Sequence, residues 1–327
     1  MELYLLVSGK IVYAGSSYRQ NPNFLFLSLS LSLCLVLSYS YHFILYIIMS
    51  AGAAEFKAEL RAGNPKFGVF LNSASPLVAG QFSHCGYDWL LIDAQHSPVD
   101  SLTLAGMVTA IRSGPARIMV RVGSTQDRSG IQNALDSGAD GILIPYVNNA
   151  KELQEAVSCC FYPTQGTRSV YTPQQCMNSK GLLGYVPESN KNVIVAFQVE
   201  TASCIENLEE IMAVKGVDIA FLGQNDLCMS MGLYDGRYVF PEMYFSKELN
   251  EATQKLIATA QKNNIILGIF LFGDERVGEF IEKGFTFFSL GSDLHHAQTQ
   301  AAAYIKNLAT ITASKGKNWK HQPSALV

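Results

Sequence analysis

The chain has 327 residues, of which 48% are hydrophobic and only 16% are charged, and its formal net charge is −3. This composition excludes a disordered chain, which would be polar and highly charged. It also excludes a nucleic-acid-binding protein held by bulk positive charge, because Lys and Arg form no block along the chain. A chain of this length can bury one large core, as α/β barrels of about 250 residues do.

The first 49 residues differ from the rest of the chain. They carry only three charged side chains, and residues 24–49 are apolar over a length that can span a bilayer, although serines interrupt them. Two interpretations stay open: residues 1–49 are an extraneous leader before a start at Met49, or they are a targeting peptide or membrane anchor. We predict a cytoplasmic protein in the first case, and an organelle-targeted or membrane-anchored one through residues 24–48 in the second.

From residue 66 onward, short apolar runs alternate with longer amphipathic stretches. Apolar runs of this kind predict strands with both faces buried, as in a parallel sheet covered by helices. The predicted strands are Phe67–Leu71, Asp88–Asp93, Arg117–Val122, Gly141–Tyr146, Val193–Glu200, Val217–Gly223, Ile265–Leu271 and Phe285–Gly291. The amphipathic stretches predict helices over Leu102–Arg112, Ile131–Ser137, Ala150–Cys160, Cys204–Val214, Leu249–Lys262 and Arg276–Lys283.

This alternation predicts the fold. Strands and helices that alternate imply right-handed crossovers and a parallel sheet. Eight such units in about 250 residues predict a TIM (β/α)8 barrel, a single domain over residues 50–315 that is followed by a polar tail over residues 316–327. A doubly wound open sheet is the alternative, but neither a GxGxxG nor a P-loop follows the first strand.

Two longer segments interrupt the rhythm. Phe161–Asn192 separates the fourth and fifth strands, and Tyr234–Phe245 follows the sixth. Long loops in compact barrels are usually functional. We expect both on the carboxyl-terminal face of the barrel, where the active sites of this fold lie.

Polar side chains stand at the carboxyl ends of four predicted strands, which face one site in a barrel. They are Asp93 and His96 after strand two, Arg121 on strand three, Gln198 and Glu200 on strand five, and Gln224, Asn225 and Asp226 after strand six. Glu200 and Asp226 can converge on a divalent cation, for which two carboxylates, water and a chelating substrate suit Mg²⁺ or Mn²⁺. The alternatives are an ion pair or, for Asp226, a helix cap.

Three more side chains are candidates, each with a structural alternative. Arg121 is typical of a carboxylate clamp, or of a salt bridge at the barrel mouth. His96 can act as a general base near neutral pH, or be structural. Asp136 lies near the end of a predicted helix, where a carboxylate opposes the helix dipole and therefore indicates another partner.

These residues lie in motifs that resemble the HpcH/HpaI aldolase/citrate lyase family, and within it the class II, metal-dependent pyruvate aldolases. The resemblance extends from about Phe67 to Asp293. Its matching segments are residues 87–96 (YDWLLIDAQH), 120–122 (VRV), 135–139 (LDSGA), 141–145 (GILIP), 162–168 (YPTQGTR), 198–201 (QVET) and 223–227 (GQNDL).

The resemblance implies a carbon–carbon lyase that cleaves a 4-hydroxy-2-oxo acid to pyruvate, or a related 2-oxo acid, and an aldehyde. Glu200 and Asp226 would hold the divalent cation, Mg²⁺ or Mn²⁺ ahead of Co²⁺ or Zn²⁺. Arg121 would stabilise the enolate and carbonyl oxygen. His96, oriented by Asp136, would manage proton transfer.

The resemblance also implies substrate contacts and an assembly. Gln198 would line the pocket, and backbone N–H groups around Gln224–Asp226, at Asn225 and Asp226, would bind the substrate carboxylate. The family implies a homo-oligomer, a hexamer, in which Leu294–Leu308 is the candidate exchanged helix. The partners would be small molecules and not nucleic acid, and a membrane only if residues 24–48 form an anchor.

The sequence departs from the family at three places. Gln95 stands where the family usually has Glu, Gln224-Asn225 stand where it has Pro-Ala, and Ser169 stands where it has Gly. These departures leave the substrate open. An acyl-CoA lyase of the same superfamily and a non-catalytic barrel that binds 2-oxo acids are the alternatives.

Overall fold

The computed structural model describes residues 4–7, 10–13, 53–171, 181–238 and 240–319. The chain divides into two compact units, residues 1–50 and residues 51–327. In the first unit, Tyr4–Val7 and Lys10–Tyr13 pair as an antiparallel two-stranded sheet. The hydrophobic segment predicted over residues 24–48 lies outside the described residues, and none of the described helices is long and apolar enough to cross a membrane.

The second unit contains a closed barrel of eight parallel strands. The strands are β1 (Lys66–Leu71), β2 (Trp89–Asp93), β3 (Arg117–Arg121), β4 (Gly141–Ile144), β5 (Ile194–Val199), β6 (Ile219–Leu222), β7 (Ile266–Leu271) and β8 (Phe285–Ser292). Each strand pairs with its neighbour in sequence, and β8 closes the barrel against β1. This confirms the predicted TIM barrel. The open-sheet alternative is wrong, because an open sheet has no pairing between its first and last strands.

Helices fill the connections between the strands. They are α1 (Ala53–Arg61), α2 (Pro76–Phe82), α3 (Ser101–Ile111), α4 (Arg128–Ser137), α5 (Ala150–Cys160), α6 (Gly181–Asn192), α7 (Ala202–Glu206), α8 (Leu208–Met212), α9 (Gln224–Ser230), α10 (Lys247–Asn263), α11 (Val277–Glu282) and α12 (Asp293–Ser314), with a 3-10 helix over Glu242–Phe245. The single helix predicted over Cys204–Val214 is wrong. Asn207 separates α7 from α8 there, and its side-chain amide donates to the carbonyl of Asn148 at 2.9 Å.

Side chains alternate along the strands between two buried layers. On β2, Leu90 and Ile92 pack outward against the helices, whereas Trp89 and Leu91 point into the barrel. The Trp89 ring stacks on Phe287 with 4.0 Å between the centroids. A Cβ on Gly68 would lie 2.2 Å from the Trp89 ring, so only glycine leaves room for it there.

Helix α1 closes the amino-terminal end of the barrel. Its Phe56 belongs to the inner layer and meets Phe287 edge-to-face at 6.4 Å between the centroids. Lys57 Nζ reaches the carbonyl of Val193 and the carboxylate of Asp218, both at 3.1 Å. Among the described residues, α1 thus covers the end of the barrel opposite to the carboxyl ends of the strands.

The first long segment lies on a different face from the one that we expected. Helix α5 ends at Cys160 and β5 begins at Ile194, so the segment joins a helix end to a strand start. In a TIM barrel that junction belongs to the amino-terminal face, and α6 contacts α1 there. The prediction of a carboxyl-terminal position was therefore wrong for the described parts of this segment, residues 161–171 and 181–192, although it is correct for the segment after β6.

Candidate active site at the carboxyl ends of the strands

A cavity of about 900 Å³ opens at the carboxyl ends of the barrel strands. Seven of the nine predicted site residues line it, and they come from β2, β3, β5 and the segments that follow β2 and β6. These seven are Asp93, His96, Arg121, Gln198, Gln224, Asn225 and Asp226. The strand-end positions thus converge as predicted. Glu200 is buried next to Gln198, just outside the lining of the cavity, and Asp136 lies on α4 away from it.

Asp93 and Arg121 form a buried ion pair at the base of the cavity. The register of β2 and β3 places the two residues side by side. Arg121 Nε donates to Asp93 Oδ1 at 2.8 Å, and Nη2 donates to Oδ2 at 2.7 Å. The Arg121 side chain is 9% exposed and the Asp93 side chain is fully buried, at 0%. Arg121 is therefore a planar fork that is already held rigidly by a carboxylate of its own chain.

Several donors converge on the Asp93 carboxylate besides Arg121. Asn72 Nδ2 donates to Oδ2 at 2.7 Å, and the backbone N–H groups of Gln95 and His96 donate to Oδ1. Burial raises the pKa of Asp93, but the hydrogen bonds and charge of Arg121 and these N–H groups outweigh it. The pKa of this carboxyl is therefore below its usual value.

Gln198 connects Arg121 to Glu200. Its Oε1 accepts from Arg121 Nη1 at 3.3 Å, and its Nε2 donates to Glu200 Oε2 at 2.8 Å. Glu200 Oε1 accepts the backbone N–H of Tyr146 at 2.6 Å. Tyr146 has a φ of +56°, a left-handed conformation that is strained for a residue with a side chain. This conformation points the Tyr146 N–H at the buried Glu200 carboxylate.

Glu200 and Asp226 are close enough for their charges to interact. The pKa of Glu200 is raised to about 7: burial is the largest cause and the charge of Asp226 adds to it, while the Tyr146 N–H and the charge of Arg121 act in the opposite direction. A Cβ on Gly223 would lie 3.0 Å from Glu200 Cβ, so glycine allows α9 to start directly against Glu200. Gly223 is the residue that caps α9, and Asp226 makes no capping bond. The cap alternative for Asp226 is therefore wrong.

The two carboxylates fit a divalent cation. Among the described residues, no group of three or more His, Cys, Asp or Glu side chains forms a complete metal site. A hard cation such as Mg²⁺ does not need one, because it commonly takes one or two carboxylates and fills its other positions with water and substrate oxygens. Burial and the nearby charge of Asp226 both disfavour the charged form of Glu200, and a bound cation would offset both.

Asp136 and His96 are not brought together within this chain. His96 is exposed at the cavity. Asp136 lies near the carboxyl end of α4, which points to the opposite face because the helices of this fold run antiparallel to the strands. Its carboxylate accepts from Arg168 Nη2 at 2.6 Å, and the buried Arg168 guanidinium lies 4.4 Å from the centroid of the Tyr162 ring. Asp136 therefore holds the 161–171 segment, and the expected contact with His96 is absent from the described structure.

Some residues of the site were not predicted, because they are uncharged side chains without a pattern that distinguishes them in the sequence. Asn72 directly follows β1, and its own N–H donates to Asp293 Oδ1 at 2.8 Å. Tyr234 and Tyr244 donate to Asn225 Oδ1, the latter at 3.5 Å. The sequence shows that Asn72 follows a strand and that tyrosines lie near Asn225. It does not show which side chains they contact.

Comparison with known proteins bears on this site. A family model described as HpcH/HpaI aldolase/citrate lyase matches residues 66–299. The chain is 32% identical over 267 residues to a 4-hydroxy-2-oxo-heptane-1,7-dioate aldolase of Shigella flexneri, covering 80% of this chain and 97% of that protein. It is 34% identical over 248 residues to a hydroxypyruvate/pyruvate aldolase of Sagittula stellata, covering 76% and 95%. A solved HpcH/HpaI aldolase/citrate lyase family protein from Burkholderia cenocepacia superposes with a TM-score of 0.69 at 27% identity, covering 77% and 98%.

Proposed function

This chain belongs to the HpcH/HpaI aldolase/citrate lyase family, and we propose that it cleaves a 4-hydroxy-2-oxo acid to pyruvate, or a related 2-oxo acid, and an aldehyde. It is a carbon–carbon lyase of the aldehyde-lyase type. The observation that carries the proposal is the hydrogen-bonded series from Asp93 through Arg121 and Gln198 to Glu200. It joins a rigid cationic fork to a pair of carboxylates at one end of the cavity.

The reaction needs a base and a site for negative charge. When the C3–C4 bond breaks, the C4 hydroxyl loses a proton and becomes the aldehyde carbonyl. The electron pair stays on the 2-oxo acid as an enolate, which then takes up a proton at C3. His96, exposed at the cavity, would accept the proton from the C4 hydroxyl.

Arg121 would stabilise the developing enolate oxygen. Its guanidinium lines the cavity while Asp93 and Gln198 hold its orientation. A donor that is already oriented pays no reorganisation at the moment of reaction, and one such donor contributes about 3–4 kcal/mol. The backbone N–H groups of Gln224–Asp226, including Asn225, would bind the substrate carboxylate at the start of α9.

Glu200 and Asp226 would hold the divalent cation. Their all-oxygen donor set favours Mg²⁺ or Mn²⁺ over Co²⁺ or Zn²⁺. When bound, the cation supplies a Lewis acid that lowers the energy of the enolate. The hydrogen bonds from Gln198 and the Tyr146 N–H orient the Glu200 carboxylate, as outer partners orient metal ligands in general.

We also propose a homo-oligomer, a hexamer by resemblance. Helix α12 spans the predicted 294–308 segment and presents exposed apolar side chains along its length. They are Leu294, Tyr304, Ile305, Leu308 and Ile311. A row of such side chains is typical of a protein–protein contact, and the mass of the protein in solution tests this assembly.

The function is tested by pyruvate release from 4-hydroxy-2-oxo acids. We expect the purified chain to release pyruvate with Mg²⁺ or Mn²⁺, to lose this activity in EDTA and to regain it when the cation is restored. Glu200→Gln should be inactive, whereas Glu209→Gln, which alters an exposed partner of Lys262, should be fully active. Absence of release with every cation and substrate would refute the proposal.

A further inference from the structure

The cavity has one polar end and one aromatic end. The polar end contains Asp93, Arg121 and Asp226. A group of phenylalanines in the same lining, here termed the aromatic wall, consists of Phe70, Phe240, Phe245, Phe270 and Phe272. A 2-oxo acid at the polar end would occupy only part of the roughly 900 Å³, which is near the upper limit of small-molecule sites. The remaining space along the aromatic wall is where the aldehyde half would lie.

Four rings of the aromatic wall form a continuous series of contacts that starts beside Arg121, and the fifth, Phe245, lies under the Arg276 guanidinium at 4.8 Å from its centroid. The Arg121 guanidinium lies 5.1 Å from the centroid of Phe70. The Phe70 and Phe270 centroids are 5.3 Å apart, those of Phe270 and Phe272 are 5.2 Å apart, and those of Phe272 and Phe240 are 6.5 Å apart. All three pairs are edge-to-face, a favourable arrangement for aromatic rings. The wall is therefore a formed surface and not a chance group of side chains.

The outer rings of the wall are accessible. Phe272, Phe240 and Phe245 are 48%, 56% and 69% exposed. Single exposed apolar residues are common, but a contiguous group of them inside a cavity indicates a binding surface. Because Phe272 packs between Phe270 and Phe240, these two outer rings can contact a ligand without leaving their places.

The charges of the cavity argue against a second carboxylate on the substrate. Among the described residues that line it, the Arg and Lys side chains are Arg121 and Arg276. Arg121 is paired with Asp93, and Arg276 Nε and Nη2 donate to Glu279 at 2.9 and 3.1 Å. Glu275 adds a further negative charge to the lining. The imidazoles of His96 and His295 also line the cavity. Among the described lining residues, an anionic aldehyde would thus meet apolar rings, imidazoles, an acid and two arginines that are already paired.

We propose that the aldehyde half of the substrate is uncharged and carries an aromatic or similarly bulky apolar group, and that Phe240 and Phe272 determine this specificity. The inference rests on the proposed aldolase function and names its aldehyde. In the reverse reaction, C3 of the pyruvate enolate attacks the aldehyde carbon. The new carbon–carbon bond forms, and the carbonyl oxygen takes up a proton to become the C4 hydroxyl.

The test compares three aldehydes in aldol addition to pyruvate: benzaldehyde, acetaldehyde and succinic semialdehyde. We expect kcat/KM for benzaldehyde to exceed the values for the other two at least tenfold. Phe272→Ala should raise KM for benzaldehyde about tenfold and leave acetaldehyde nearly unchanged. Phe272→Lys should shift the preference toward succinic semialdehyde, because it adds an unpaired cation to the wall. Tyr171→Ala, which alters an exposed aromatic outside the cavity, is the matched control.

Exchange of the pyruvate methyl protons with deuterated water, followed by NMR, separates the two levels of the proposal. This exchange needs the enolate but no aldehyde. If the wild-type enzyme shows no exchange, the proposed function fails and the inference fails with it. If exchange occurs but succinic semialdehyde reacts as well as benzaldehyde, or Phe272→Ala affects all aldehydes equally, the inference alone is overturned.

Discussion

The ion pair between Asp93 and Arg121 gives the most direct test of how the site is held together. Asp93→Asn keeps the size of the side chain and removes its charge. The carboxylate accepts two bonds from Arg121 and one from Asn72. An asparagine can accept at only one atom, so its NH₂ group must face one of these donors. The substitution therefore leaves the buried guanidinium without the carboxylate that it is hydrogen-bonded to.

The size of the effect follows from the burial of the pair. Removing one partner of a buried ion pair costs about 3–5 kcal/mol. Arg121 keeps its bond to Gln198 and can keep one to the new amide oxygen, so we expect the lower end, about 3 kcal/mol. A loss of 1 kcal/mol lowers the Tm of a domain of 150–250 residues by about 2–4 °C. Asp93→Asn should therefore lower the Tm by about 6–12 °C.

Thermal unfolding at several pH values measures this effect. Because the folded-state pKa of Asp93 is below its usual value, its stabilisation is present above the usual pKa and is lost as the pH falls through the folded pKa. The Tm difference should be full at pH 7 and shrink below about pH 4. Asp235→Asn is the control, because its pair with Arg237 has a similar 2.7 Å bond but side chains that are 47% and 52% exposed, and it should not change the Tm. Equal Tm values for wild type and Asp93→Asn at pH 7 would refute the reasoning.

Three further changes test other parts of the site. Glu200→Gln should weaken Mn²⁺ binding at least tenfold in titration calorimetry because one of two carboxylates is lost, and unchanged affinity would exclude it as a ligand. Gln198→Leu removes the bridge between Glu200 and the arginine of the site, so kcat for pyruvate release should fall about tenfold or more; a change in KM alone would contradict a positioning role. Asp136→Asn should speed tryptic cleavage after Arg168, which is otherwise buried in the pair, and should leave the pH profile of kcat unchanged. A shifted profile would instead support the orienting role that the resemblance implied.

The fold was predictable from the sequence because its signals are local. A strand buried on both faces must be apolar along its length, and Leu90–Ile92 or Ile194–Phe197 can be identified without knowing their neighbours. The break between α7 and α8 at Asn207 was not predicted, because it coincides with a hydrogen bond from the Asn207 side chain to Asn148, a residue after β4 that is distant in sequence. The amino-terminal position of the described parts of the 161–192 segment also follows from the order of the elements, because a connection from a helix to the next strand lies on that face of a TIM barrel.

The sequence by itself determined which residues of the site lie at the carboxyl ends of strands. Since all strands of a parallel barrel run in the same direction, these ends lie on one face of the barrel. That was enough to bring Asp93, Arg121, Gln198 and Asp226 to one cavity. Tertiary structure alone decided their partners. The bond between Asn72 and Asp293 joins residues 221 apart because the last strand closes against the first. Register and closure are long-range properties, and side-chain pairing, the aromatic wall and the partner of Asp136 all depend on them.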